Sequence, residues 1–171
     1  MGLSERMQEL QEAMVRYSEM TVMNYKVIHA FGEAILERLP GFLGEGSHVI
    51  GVPPVGDYRT NAGDYSDAKF SSYSAGILTL APIQMGVVVG IPHRADNGMF
   101  WPRVVVEFEM ERDVITVRVG DDGVPIRSAS LAHTAEDLEK VCAAIHEYIR
   151  SVLEHPVKAA TAVGRGKLGF I

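Results

Sequence analysis

The pattern of apolar and polar positions divides this chain into a helical opening, an irregular passage, a run of alternating strands and a closing helix. From Ser4 to Leu39 there is no proline, and Gly32 is the only glycine. Met7, Leu10, Met14 and Tyr17 recur at alternating steps of three and four, and the frame continues through Thr21, Asn24, Ile28, Phe31 and Ile35. That spacing predicts a helix of about 53 Å at 1.5 Å per residue. Ser4 is placed to cap it, with Glu5 in the first turn against the positive end of the dipole, and Pro40-Gly41 predicts its end. From Met20 onward further apolar residues (Val22, Met23, Val27, Ala30, Ala34, Leu36) occupy other faces. A helix apolar nearly all round is buried nearly all round, so the second half is expected in the core. The first half carries one narrow stripe, Met7, Leu10, Met14 and Tyr17, which reads as an interface seam. Three arrangements fit it: a helix folded back on its own domain, a projecting oligomerisation helix over residues 1–20, or a break near Ser18 to Thr21.

Residues 40–75 are rich in glycine, with Pro53-Pro54 forbidding a regular helix or central strand. Only His48-Val49-Ile50 reads as a short strand there. Strands are expected over Gly76–Ala81, Gln84–Pro92, a third of alternating residues from Arg103 to Glu111, a fourth from Val114 to Val119, and Val124–Ser128. In the second, Met85, Val87, Val89 and Ile91 face one way. Gly86 and Gly90 on the other side leave the backbone open to close approach by a packed helix or a flat ligand. In the third, Val104, Val106, Phe108 and Met110 point inward and Glu107, Glu109 and Glu111 outward. In the fourth, Ile115, Val117 and Val119 point inward. Paired residues share a face, so their numbers sum to an odd value. A four-residue loop would pair Glu107 with Arg118, and a two-residue loop would pair Glu107 with Thr116. The glutamate row reads as a solvated face. Asn97-Gly98 marks a hairpin, and Pro125 marks an edge strand.

Thr134, with Glu136 and Asp137 following, caps a helix whose apolar face holds Leu138, Val141, Cys142, Ile145, Tyr148, Ile149, Val152 and Leu153. His155-Pro156 ends it, and residues 156–171 form a tail. The expected fold is α+β: one domain over residues 1–155, in two layers. A mainly antiparallel meander of about five strands carries the long N-terminal helix and the C-terminal helix on one face. In layout alone this resembles small acidic homodimeric secretion chaperones, which also set helices on a twisted antiparallel sheet.

Composition narrows function little. The net charge of −6 argues against general affinity for nucleic acid and favours a basic partner. A lone cysteine, Cys142, and the lack of an apolar leader or spanning segment point to the cytoplasm and to no membrane partner. Cys142 lies within the helix stripe, as a small buried hydrophobe would.

Candidate ligand groups are Asp57, Asp64 and Asp67 in the irregular passage and His93, Arg94 and Asp96 at the hairpin tip. With Asn61, the passage offers oxygen ligands suited to a hard cation. Their spacing misses the EF-hand frame, and aspartate is also a turn former, so no metal or cofactor is assigned. Ser74 lacks the strand-to-helix setting of a nucleophile elbow. The function expected is a non-enzymatic protein-interaction module, a homodimer binding another protein. The alternative is a small enzyme or ligand-binding domain with its site between the 40–75 loop and the 93–98 tip.

Overall fold

A computed structural model describes residues 4–44, 46–61, 65–72, 80–95, 97–128 and 131–155. Helix α1 (Glu5–Leu43) is followed by β1 (His48–Val52), a single 3-10 turn (Ser66–Lys69), β2 (Ile83–Pro92), β3 (Met99–Phe100), β4 (Arg103–Glu111), β5 (Val114–Val119), β6 (Ile126–Ser128) and α2 (Ala135–Glu154). The sheet is antiparallel throughout, in the order β1-β2-β4-β5-β6. β3 pairs with the end of β2 in the register that β4 continues, from Pro92↔Met99 and Ile91↔Phe100 to Val88↔Arg103. Trp101-Pro102 interrupts that strand only briefly, because Pro102 still accepts from the Val89 amide at 3.2 Å. The fold is the expected α+β meander. The expected strand over Gly76–Ala81 lies mostly outside the described residues, and β1 forms the edge beside β2.

Alternation sets the layers. Met85, Val87 and Val89 of β2, Val104, Val106 and Phe108 of β4, and Ile115, Val117 and Val119 of β5 share one face with Ile28, Phe31, Ile35 and Leu39 of α1 and Val141, Cys142, Ile145 and Ile149 of α2. Burial pushes the Cys142 thiol up to about 11, which keeps it protonated and inert. Thr134 and Asp137 complete a capping box at the start of α2.

Four expectations need correction. α1 runs past Pro40 to Leu43, since a proline in the last turn costs one hydrogen bond, and the Pro40 carbonyl still accepts from the Gly44 amide and the Ser47 hydroxyl, both at 3.0 Å. Its second half is buried on one side only: Val22 and Met23 each remain 40% exposed. Glu107 does pair with Arg118, but the loop between β4 and β5 is the two residues Arg112-Asp113, with Arg112 in a left-handed conformation at φ 56°. The ladder zips one pair further than a four-residue loop allows, to Glu111↔Val114. β6 begins only at Ile126, beyond Pro125, which has no amide to donate.

The outer face of the sheet is only half solvated. Around Glu107, side chains of Gln84 and Arg118 donate at 2.8 and 3.3 Å, as an exposed polar face should. Nearer β1 the outer face is covered: Val52, Val88, Arg103 and Val105 are buried. Residues 53–58 cross it as a strap. Arg103 Nη1 donates to the Pro53 and Gly56 carbonyls at 3.2 and 2.7 Å, and its guanidinium lies 5.0 Å from the Tyr58 ring. Tyr58 in turn donates to the Trp101 carbonyl at 2.6 Å. A Cβ on Gly90 would lie 2.7 Å from the Trp101 indole, and one on Gly86 would lie 2.7 Å from the Pro53 carbonyl. The close approach to the glycine face therefore comes from this chain's own indole and strap.

Candidate functional site

Among the described residues, most of the exposed large hydrophobic side chains lie on the first half of α1 and just beyond it, from Met7 to Met23. Thr21 is the first buried residue of the helix, and every described residue before it is exposed. The helix is unbroken through Ser18 to Thr21, where the Thr21 hydroxyl donates back to the Ser18 carbonyl at 2.8 Å. About 24 Å of helix, Glu5 to Met20, therefore projects beyond the domain. Leu10 and Met14 are 64% and 63% exposed, and Met7, Tyr17 and Met20 stand on the same length of helix, also exposed. The charges sit elsewhere on the wheel, with Arg16 and Glu12 pairing at 3.8 Å along the helix surface. The stripe is the same three-and-four frame that is buried further on at Thr21, Asn24, Ile28, Phe31 and Ile35, the last three in the core shared with the sheet. The helix outruns the sheet, so the frame continues with none of the described residues burying it.

At the root of this projection is a polar cluster. Tyr25, His29 and Glu33, one turn apart on α1, face the 66–72 segment. Tyr25 donates to Asp67 Oδ2 at 3.0 Å, His29 Nδ1 lies 3.5 Å from Asp67 Oδ1, and His29 Nε2 lies 3.2 Å from the Ser72 hydroxyl. Lys69, 2% exposed, meets Glu33 at 2.6 Å. The His29 ring stacks on Phe70 and leans on Tyr25, each with centroids 3.8 Å apart. Burial pulls the His29 pKa below its ordinary 6.5, and the neighbouring Asp67 carboxylate opposes this only in part. The imidazole is thus neutral at pH 7.

No protein family, curated protein or solved structure matches the chain. Function is therefore read from these surfaces.

The four described candidate ligand residues are not gathered in one place. Asp67 belongs to the α1 cluster, near the start of β2, where Phe70 bridges Met85. His93 and Arg94 are exposed in the loop after the far end of β2, about 30 Å away along that strand. Asp57 is exposed on the outer-face strap, where it acts electrostatically on Arg103. Asp64 and Asp96 lie outside the described residues, as does Ser74. Among the described residues no group of three acidic, histidine or cysteine side chains is placed to hold a metal ion. No described helix is long and apolar enough to cross a membrane.

Clefts lie elsewhere. One of about 530 Å³ joins Thr60 and Asn61 of the irregular passage to Met99 and Trp101, with His48 on its wall. Another, of about 400 Å³, opens between Leu43, the end of β2 and Ile149 and Leu153 of α2. Sequence reading passed over Tyr25, His29, Glu33, Lys69 and Ser72. The available signal was three polar side chains four residues apart on a helix otherwise apolar on that side.

Proposed function

We propose that this protein is a non-enzymatic interaction module of chaperone or adaptor type, a homodimer that binds another protein. The observation that carries this reading is the projecting half of α1, an apolar stripe rich in methionine that the described residues leave exposed. Methionine suits an adaptable contact surface, and an exposed stripe of this length on a water-soluble face is stabilised by a partner. The acidic balance, −6 overall, favours a partner with basic character. Light scattering of the full chain is expected to give twice the mass of 18.7 kDa, and a monodisperse 18.7 kDa species at micromolar concentration would remove the homodimer.

One observation favours a second reading, a small hydrolytic enzyme. Ser72, His29 and Asp67 stand in the order of a nucleophile, its base and the base's orienting carboxylate, and His29 is held neutral as a general base must be. Incubation with a fluorophosphonate tests it directly. Covalent labelling at Ser72 that disappears in His29→Gln supports an enzyme, and an unlabelled protein disposes of this reading.

A further inference from the structure

Resting on the homodimer reading, we infer that the occupant of the projecting stripe is the same stripe of a second copy, running antiparallel. Four features of α1 lead there. First, the stripe is self-complementary about its own centre. With the two-fold axis level with residue 12, Met7 of one copy meets Tyr17 of the other and Leu10 meets Met14, so large apolar side chains oppose each other along the seam. Second, the positions beside the seam are nearly free of charge. Arg6, Ala13 and Met20 flank one side and Gln11 and Ser18 the other, while Glu5, Glu9, Glu12, Arg16 and Glu19 occupy the far face. No row of glutamates is brought under the partner.

Third, the length fits. In this register Glu5 of one copy lies level with Glu19 of the other, so the second helix ends just where Thr21 enters the domain. A parallel pair would not end there. From Thr21 onward the seam of each helix is buried in its own domain, with the sheet on Ile28, Phe31 and Ile35, so both domains would be driven into the space between the two helices. Fourth, the area suffices. Covering Met7, Leu10, Met14, Tyr17 and Met20 in both copies removes on the order of 1,000 Å² from water, the lower bound for a specific interface.

Single cysteines in a Cys142→Ala background test the geometry on the full chain. Ala13→Cys places two thiols within about 10 Å across the two-fold axis, whereas Ser18→Cys leaves them about 18 Å apart along the helices. A short bis-maleimide is expected to cross-link the first and not the second. Cross-linking at both positions means a parallel pair and overturns the inference while leaving the homodimer. A dimeric mass with cross-linking at neither position places the interface elsewhere and also overturns it. A monomeric mass removes the homodimer reading itself, and this inference with it. Independently, Leu10→Glu buries a carboxylate in each half of the seam and is expected to raise the dimer dissociation constant by roughly 100-fold or more. Its far-UV circular dichroism should match the parent at concentrations where both are folded, because Leu10 is 64% exposed among the described residues. An unchanged dissociation constant would refute the seam.

Discussion

Adding one methyl group at Gly90 tests the covered half of the outer face. Glycine in a strand interior is normally a liability, and replacing it with alanine is expected to gain about 0.5–1 kcal/mol from backbone entropy. In this fold the new Cβ would stand 2.7 and 2.8 Å from two carbons of the Trp101 indole and 2.8 Å from the Met99 methyl. These distances are well inside van der Waals contact, and overpacking of this kind costs about 1–3 kcal/mol. Gly90→Ala is therefore expected to destabilise by about 1–2 kcal/mol, against the sign that strand propensity alone implies. Urea unfolding followed by far-UV circular dichroism reads this as a midpoint lower by about 0.5–1 M, with an unchanged slope. The control is a double-mutant cycle with Trp101→Ala. Once the indole is gone, the same substitution is expected to become neutral or stabilising, giving a coupling of about 1.5–3 kcal/mol between the two sites. A midpoint that rises in the parent background, or a cost that is equal with and without Trp101, would mean that the indole does not lie on Gly90.

Three further outcomes follow from polar contacts. Arg103→Met removes the donor to the Pro53 and Gly56 carbonyls. It is expected to cost about 1–3 kcal/mol and to speed hydrogen exchange of the 55–58 amides and not those of β4, and unchanged exchange there would show that the guanidinium does not hold the strap. Burial alone would raise the Asp137 pKa, but hydrogen bonds from the Thr134 amide and hydroxyl and from Ser128 outweigh it and hold the group below its ordinary 3.8. The stability this confers is present above about pH 4 and lost as pH falls through the lower folded value, so Asp137→Asn should cost about 1–2 kcal/mol at neutral pH and progressively less in acid, as followed by chemical denaturation across pH. His29 has the opposite charge type: its folded pKa lies below 6.5, so the unfolded chain takes up a proton first as pH falls. Unfolding free energy should decline as pH drops below about 6.5, and His29→Gln should flatten that part of the curve; an identical slope in the variant would contradict the burial of a neutral imidazole.

Much of the scaffold was legible because backbone geometry imposes its own period. Alternation over Val104–Met110 and Ile115–Val119 assigned both faces of β4 and β5, and odd-sum pairing holds in the Glu107↔Arg118 register. The loop length between them was not legible, because a two-residue and a four-residue loop can share one register, and only the energy of an added pair against a left-handed Arg112 separates them. The helix end was misplaced for a similar reason: proline removes one donor, and only the surrounding contacts decide whether the turn continues.

The candidate site was less legible. His29 and Ser72 are 43 residues apart, as are Tyr58 and Trp101, and polar residues in a loop look alike in sequence whether they end in solvent or against a helix. The three-and-four frame of α1 was visible as one unbroken stripe from Met7 to Ile35, since helical spacing is a local property. Which part of it lies bare is a question of relative lengths. α1, at 39 residues, is about 58 Å long, while the longest described strand, at 10 residues, is about 33 Å. The sheet can cover only the second half of the helix, and among the described residues the first half is left presenting the same apolar frame uncovered.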